Sequence, residues 1–216
     1  MPKAMTYRPP RRRPAHESLE KLLDAAEELL RQEELYNFTV QRVLERAGVS
    51  AGSLYTRFPA GKEAMLHAVQ DRFYARVQPP ILEALEAQKN VKQSLEDAVD
   101  NAFSILIAHL VKERRLLRAF IMFSAFDPVM RRKGHRINTE RRAAVAAVLA
   151  EHRAEIGHPD PDKAINQAYD MYLSVKHGRL VPPTSATGPR HTTNEEVIFA
   201  QLKLWISHFL RGNGAS

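Results

Sequence analysis

Residues 39–58 read TVQRVLERAGVSAGSLYTRF, and this stretch decides the fold. Thr39 is a typical N-cap, and the apolar residues after it recur at helical spacing: Val40, Val43, Leu44 and Ala47. Gly48 stands where a helix end needs a left-handed residue. Ser50 then caps a second short helix, in which Leu54 and Phe58 point inward at i, i+4. The pattern predicts two short helices joined by a tight turn.

Such a pair is a helix-turn-helix, in which the first helix braces against the DNA backbone and the second enters the major groove. With Leu54 and Phe58 in the core, the outer surface of the second helix carries Ala51, Gly52, Ser53, Tyr55, Thr56 and Arg57. The small residues allow a close approach, and the others offer hydrogen-bond donors to phosphates or base edges. The stretch therefore indicates DNA binding.

A wider set of residues resembles the DNA-binding domain of the TetR family of bacterial transcriptional regulators. The resemblance rests on Ala25-Ala26, Phe38-Thr39-Val40, Ala47-Gly48-Val49-Ser50-Ala51-Gly52-Ser53-Leu54-Tyr55, Phe58 and Lys62-Glu63-Ala64. It covers roughly residues 18–77. It implies a three-helix DNA-binding domain, followed by a helical domain that binds a ligand and dimerises.

The resemblance also implies roles for individual residues. Thr39 and Gln41 would touch the backbone or a base, Ser50 to Ser53 would enter the groove, and Tyr55 and Arg57 would hold phosphates. Lys62 would add a phosphate contact at a helix N-terminus. Two readings stay open beside these, since Tyr55 could pack on the domain surface and Arg57 could be a solvated charge.

The charge is unevenly distributed over the 216 residues, whose net charge is +7. Residues 1–16 carry five bases and no acid, whereas residues 17–77 carry eight bases and ten acids. Arg11, Arg12 and Arg13 in this basic arm are either minor-groove or phosphate contacts or part of a solubilising tail. Residues 112–142 carry ten bases against three acids. That block is a solvated face, an electrostatic attraction for DNA, or a site for an anionic effector.

The remaining chain also has helical periodicity, and no sustained period-two run predicts a strand. We expect an all-α fold with a first helix from Ser18 and a fourth helix that ends at Pro79-Pro80. The later helical segments are expected at 81–89, 92–111, 114–126, 128–156, 161–181 and 195–211. The predicted domains are a basic arm at 1–17, a helix-turn-helix domain at 18–77, and an effector-binding and dimerisation domain at 78–216.

Aromatic and polar residues of the second domain are candidates for a pocket that binds a small-molecule effector. The predicted ligand residues are Asn101, Phe103, His109, Phe120, Phe123, Tyr169 and Tyr172. The alternative is that the aromatic residues form the core and that His109 is a core histidine with a satisfied hydrogen bond.

Two apolar stripes near the C-terminus are candidates for a subunit interface. One contains Ile198, Leu202, Trp205 and Phe209, and the other contains Ala168, Tyr172 and Val175. Either stripe could be core within one chain. Together, and with the family resemblance, they predict a four-helix bundle between two subunits and hence a palindromic operator.

One enzyme motif matches, because Gly48-Val49-Ser50-Ala51-Gly52 fits the G-x-S-x-G nucleophile elbow. That elbow needs a strand before the serine, whereas an amphipathic helix is predicted there. The chain has no cysteine and no His-Glu-x-x-His motif, so we predict no enzyme, cofactor or metal site. No signal peptide or membrane span is predicted, which favours a cytoplasmic protein that joins the bacterial nucleoid when it binds DNA.

The resulting hypothesis is a dimeric, ligand-responsive regulator, most simply a repressor, that a small-molecule effector releases from its operator. The alternative is an effector-independent or architectural DNA-binding protein whose second domain only dimerises.

Overall fold

The computed structural model describes residues 13–32, 37–181 and 194–212, and these residues form nine α-helices and no β-strand. The helices are α1 (Arg13–Gln32), α2 (Val40–Ala47), α3 (Ala51–Arg57), α4 (Lys62–Glu86), α5 (Leu95–Lys112), α6 (Arg114–Ser124), α7 (Pro128–Ala150), α8 (Pro161–Leu180) and α9 (Glu195–Arg211). The predicted all-α fold is confirmed. Within these ranges, none of the helices contains the continuous apolar stretch that a membrane span requires.

The chain packs as two compact units. Unit 1 contains Met1–Arg76 and Arg115–Gly134, and unit 2 contains Val77–Arg114 and His135–Ser216. The helix-turn-helix therefore shares a unit with most of α6 and the first turns of α7. The domains predicted from the sequence are defined by their roles, whereas these units are defined by packing. The predicted domain boundaries therefore stay predictions.

The first helix begins earlier than the apolar pattern indicates. α1 starts at Arg13 rather than Ser18, because Pro14 is compatible with a first helical turn, where a backbone N–H has no partner within the helix. Its predicted apolar stripe is buried in unit 1 and contains Leu19, Leu22, Leu23, Ala26, Leu29 and Leu30.

The prediction that a helix ends at Pro79-Pro80 is wrong. α4 continues through both prolines to Glu86 and includes much of the segment predicted as a separate helix at 81–89. Proline removes one backbone donor but leaves the rest of a helix able to form when packing favours it. Here both prolines are exposed, while Val77, Ile81 and Leu85 are buried at four-residue spacing across them.

Unit 2 is built from the later helices, and α9 packs against both α5 and α8. The predicted segment 128–156 ends early, since α7 stops at Ala150 and a 3-10 turn, Arg153–Glu155, follows. Gly157 then donates its N–H to the Leu210 carbonyl at 2.9 Å. A Cβ on Gly157 would lie 2.4 Å from the Arg211 carbonyl oxygen, so only glycine fits against the end of α9.

Candidate DNA interface

The turn between α2 and α3 is fixed by three local hydrogen bonds. Thr39 Oγ1 accepts from the Arg42 N–H at 3.3 Å and begins α2. Gly48 ends α2 with φ 62° and donates to the Leu44 carbonyl at 3.0 Å. Ser50 Oγ accepts from the Ser53 N–H at 3.4 Å and begins α3. The predicted caps at Thr39, Gly48 and Ser50 are therefore confirmed, and the G-x-S-x-G match is a helix–turn–helix connection.

Burial of two side chains sets which face of α3 is exposed. Leu54 and Phe58 are fully buried, as predicted. Ala51, Gly52 and Thr56 are exposed, and the Tyr55 side chain is 52% exposed. The face that carries the predicted DNA contacts is therefore open to a partner.

Gly52 is not required by the protein's own packing. A Cβ at this position would meet nothing within 4 Å, and its φ lies outside the left-handed region. Glycine inside a helix costs roughly 1 kcal/mol relative to alanine. An exposed helix face that nevertheless carries glycine suits a surface to which another molecule approaches closely.

The polar residues of this region are held by short-range contacts. Gln41 Nε2 donates to Glu45 Oε1 at 3.1 Å, and Thr56 Oγ1 donates to the Gly52 carbonyl at 2.8 Å. The Ser50 hydroxyl donates to Ser53 Oγ at 3.2 Å. Arg57 is half-buried, and its Nε has no hydrogen-bond partner in the described part of the chain.

Lys62 lies at the start of α4, and its ammonium group faces two aromatic rings. Its Nζ is 5.4 Å from the centre of the Phe38 ring and 5.5 Å from that of Phe123. Burial lowers the pKa of Lys62 from its ordinary value. The side chain is thus held by cation–π contacts within unit 1, and its contact with phosphate stays a prediction.

The predicted DNA contacts of the basic arm fall almost entirely outside the part of the chain that the structure describes. Arg11 and Arg12 lie outside the described residues, and Arg13 is described only as the backbone position at which α1 begins. Their contact with DNA stays a prediction.

A buried carboxylate joins α1 to α4 within unit 1. Glu27 accepts hydrogen bonds from Arg31 at 2.9 Å, Arg72 at 3.0 Å and Arg76 at 2.5 Å. Burial alone would raise the pKa of Glu27, but the hydrogen bonds from Arg76 and Arg31 outweigh it, and the pKa falls to about 2. This carboxylate site was not predicted from the sequence, although an acid between Leu23 and Leu30 on the apolar stripe is a signal for it.

The α6–α7 turn is bonded to α4 within unit 1. His67 Nε2 donates to Asp127 Oδ2 at 2.5 Å, and Asp127 Oδ1 accepts from the Val129 N–H at 2.8 Å. Gln70 Nε2 donates to the Met130 carbonyl at 3.2 Å, and Lys133 forms an ion pair with Asp71 at 2.7 Å. This contact set was also missed, because its partners are about sixty residues apart in the sequence.

Members of the basic block 112–142 have different environments. Arg115 donates to the Arg31 carbonyl at 2.9 Å at the C-terminal end of α1, and Arg114 pairs with Glu195 at 2.8 Å. Arg131 and Arg132 are exposed, whereas Arg141 is buried. The block is therefore not one solvated face.

The predicted ligand residues do not form one cluster. Phe120 and Phe123 belong to unit 1, where Phe120 packs on Phe73 with ring centres 5.3 Å apart. In unit 2, Phe103, Tyr169 and Tyr172 are buried and form a chain of ring contacts at 5.7 and 5.6 Å.

Two polar candidates lie apart from these rings. Asn101 is exposed and donates to Gln93 Oε1 at 2.8 Å, and His109 is half-buried on α5. A groove of about 640 Å³ lies between α5 and α9 and is lined in part by Ile107, Val111 and Phe199. None of the predicted ligand residues lines it.

The predicted interface residues divide between core and surface. Ala168, Tyr172 and Leu202 are buried within the chain, and Val175, Ile198 and Phe209 are half-buried. Trp205 is 56% exposed. The buried face of α9 instead contains Phe199, Leu202, Ile206 and Leu210.

Comparison with known proteins agrees with this architecture. Residues 22–69 match the sequence model of the family described as bacterial regulatory proteins, tetR family. This segment begins in α1, includes α2 and α3, and ends in α4. No curated protein shows significant sequence similarity to the chain.

Solved structures share the fold over nearly the whole chain. A protein from Mesorhizobium loti MAFF303099 assigned to the TetR-family transcriptional regulators is 17% identical, with a TM-score of 0.65 over 93% of this chain and 96% of that one. Salmonella enterica GusR is 17% identical, with a TM-score of 0.59 over 91% and 96% of the two chains.

SmeT, the repressor of the Stenotrophomonas maltophilia multidrug efflux pump SmeDEF, is 20% identical, with a TM-score of 0.56 over 91% of both chains. Identities this low show the fold alone. The resemblance found in the sequence is confirmed: the chain has the fold of TetR-family transcriptional regulators, and its residues 22–69 match the tetR-family sequence model.

Proposed function

We propose that the protein is a dimeric transcriptional regulator that binds a palindromic DNA operator through α3. The observation that carries the proposal is the open face of α3, where Ala51, Gly52, Tyr55 and Thr56 are exposed above the buried Leu54 and Phe58. A helix of this size fits the major groove, and its small residues allow base edges to come close.

DNA recognition by this face depends on individual side chains at specific positions. It does not depend on the net charge of the domain, since residues 17–77 carry more acids than bases. Ser50 to Ser53 enter the groove, and Thr39 and Gln41 contact the backbone or a base. Tyr55 and Arg57 hold phosphates, and Thr56 contacts a phosphate or a base edge. Phosphate contacts fix the register of a protein on DNA, and base contacts supply specificity.

Two subunits associate through α8 and α9. The exposed Trp205 and the half-buried Ile198 and Phe209 are apolar side chains that a partner subunit would cover. A two-fold dimer sets its two α3 helices on half-sites about one helical turn (~34 Å) or a little more apart.

A small-molecule effector regulates DNA binding by a population shift. An effector that binds better to the conformation with misaligned α3 helices lowers operator affinity by its differential affinity for the two states. Repression is the simplest outcome of operator binding, and SmeT, which shares the fold, is a repressor. We infer that the protein acts in the bacterial cytoplasm, where its operator lies.

The alternative is an effector-independent DNA-binding protein. A thermal-shift screen of small molecules separates the two, because a ligand that binds the native state raises the melting temperature with occupancy. A broad panel that produces no shift favours the alternative.

The Tyr55→Ala variant tests the DNA interface. Operator sequences are first enriched from a random DNA library with the wild-type protein, and affinity is then measured by fluorescence anisotropy. Loss of a phosphate contact should weaken binding by about tenfold on every sequence while the dimer stays intact. Phe126→Ala is the matched control, since Phe126 is an aromatic residue of unit 1 that is 91% exposed and belongs to the α6–α7 turn, outside the helix-turn-helix. Equal affinity of Tyr55→Ala and the wild type would remove Tyr55 from the interface.

A further inference from the structure

Two cationic side chains are buried among the helices of unit 2. Arg141 on α7 is 3% exposed, and Lys176 on α8 is 5% exposed. Each replaces an apolar residue in a buried stripe: Arg141 lies between Ile137 and Val145, and Lys176 lies between Tyr172 and Leu180. A buried charge is strongly unfavourable unless a counter-charge and hydrogen bonds compensate it.

Neither cation has a carboxylate at ion-pairing distance within the described ranges. Arg141 Nε donates to Gln78 Oε1 at 2.8 Å, and Lys176 Nζ donates to Asn138 Oδ1 at 3.2 Å. Both acceptors are neutral amides. The nearby acids are engaged elsewhere, since Glu140 accepts from Gln78 Nε2 at 3.1 Å and Asp170 pairs with Arg142.

Unused donors accompany the two charges. Arg141 Nη2 and the Tyr169 hydroxyl are both buried without a hydrogen-bond partner in the described part of the chain. Burial raises the pKa of Tyr169 to about 12, so its hydroxyl is a neutral donor at physiological pH. Buried polar atoms are almost always hydrogen-bonded in native proteins, so two such donors in one region require an explanation.

These groups lie close enough to influence one another. Burial, together with the smaller effect of the positive charge of Arg141, lowers the pKa of Lys176 to about 8. At pH 7 the lysine still carries its proton, so the region holds two positive charges. Arg141 also acts electrostatically on Tyr169 and Tyr172, whose rings pack together and against Phe103.

We propose that Arg141, Lys176 and the Tyr169 hydroxyl form a recognition site for the carboxylate of a small effector with an aromatic body. This inference rests on the proposed function and names the chemical class of its effector. The guanidinium fork and the ammonium group supply the counter-charge and donors that a carboxylate accepts. The neighbouring rings of Phe103, Tyr169 and Tyr172 are suited to an aromatic body.

Binding of a carboxylate would remove the cost of the two uncompensated charges. Functional sites often retain such groups at the expense of the stability of the ligand-free protein. An apolar residue of similar length at position 176 should therefore stabilise the ligand-free protein and weaken its response to acids. A purely structural lysine would give the opposite change in stability.

The test uses the full-length protein and pairs of probes that differ only in charge. The probes are benzoate, phenylacetate and 3-phenylpropionate, each compared with its primary amide by thermal shift and calorimetric titration at pH 7. At least one acid should bind and raise the melting temperature, and its amide should not. Lys176→Met should weaken the binding of that acid by about tenfold or more, and it should raise the melting temperature of the ligand-free protein. Lys163→Met, an exposed lysine on the same helix, should change neither.

Tyr169→Phe is the second variant, because it removes only a hydroxyl that has no hydrogen-bond partner among the described residues, and the variant should fold. This variant should bind the acid severalfold more weakly than the wild type, and the melting temperature of the ligand-free protein should not fall. The proposal is overturned if no acid binds, if acids and amides bind equally, or if Lys176→Met or Tyr169→Phe destabilises the ligand-free protein. Operator enrichment by the wild type is measured separately, so a failed carboxylate test with intact DNA binding leaves the proposed function standing.

Discussion

At the residue scale, local rules explain most of the helix-turn-helix. Thr39, Gly48 and Ser50 cap their helices because a cap depends on residues only three or four positions away. The sequence therefore predicts them correctly. The environment of Lys62 follows no local rule, since the ring of Phe123 that it faces lies far along the chain in α6.

Base preference is the residue-scale prediction for the DNA interface. Gln41→Ala and Ser53→Ala should each change affinity at particular base positions, by about 1–3 kcal/mol where a bidentate contact is lost. Specificity profiles of the variants against a library of operator mutants measure this effect. A uniform loss on all sequences would assign the residue to the DNA backbone instead. Glu45→Ala accompanies Gln41→Ala as a control, because Glu45 is the hydrogen-bond partner of Gln41.

At the scale of elements, packing of apolar side chains decides where a helix ends, even where prolines in the sequence predict an end. The helical periodicity predicts α5, α6, α8 and α9 to within a few residues. It fails at α4, where the two exposed prolines are tolerated because buried residues on both sides pack as one stripe. The links between α4 and its neighbours, through Glu27 and Asp127, could not be predicted because each joins segments distant in sequence.

Glu27→Gln tests the link between α1 and α4. Removing the buried carboxylate takes one partner from Arg72, which keeps Asp24, and one from the half-exposed Arg76, so the free energy of unfolding at pH 7 should fall by about 1–3 kcal/mol. Because the folded pKa of Glu27 is lowered to about 2, its contribution is complete above its ordinary value of 4.5 and is lost as the pH falls from there towards 2. Urea unfolding across that range measures the difference between variant and wild type.

The difference should shrink with acidification, and a difference that stays constant with pH would contradict the role of the charge. Glu28→Gln is the control, since the neighbouring Glu28 is exposed and forms a surface pair with Arg46 at 3.3 Å. Exposed pairs of this kind contribute about 0–1 kcal/mol.

At the scale of the whole molecule, the net charge does not tell where the basic residues lie or what they contact. The surplus of +7 resides in the N-terminal arm and the block 112–142, and members of that block have separate roles in the two units. Arg115 caps α1, whereas Arg141 is buried in unit 2. Sequence periodicity predicted two C-terminal stripes but not which side chains stay exposed, because each helix has more than one apolar face.

Trp205→Glu tests the proposed dimer. A charge on the exposed face of α9 should separate the subunits, because a dimer would bury it unpaired. Sedimentation velocity should then show a monomer, and operator affinity should fall by at least tenfold because the two half-sites are no longer bound together. Phe126→Glu, on an exposed aromatic residue of unit 1, should leave the dimer intact. A wild type that sediments as a monomer would contradict the proposal.

The salt dependence of operator binding tests the central claim most directly. Affinity of the wild type for its enriched palindromic DNA is measured between 50 and 200 mM salt, conditions in which a protein with roughly 6–10 phosphate contacts loses about 10³–10⁵ in affinity. We expect a linear fall of log affinity with log salt, and a shallower slope for Tyr55→Ala, which lacks one phosphate contact. Enrichment of no palindromic sequence, or an affinity independent of salt, would contradict the account of α3 as a DNA-reading helix.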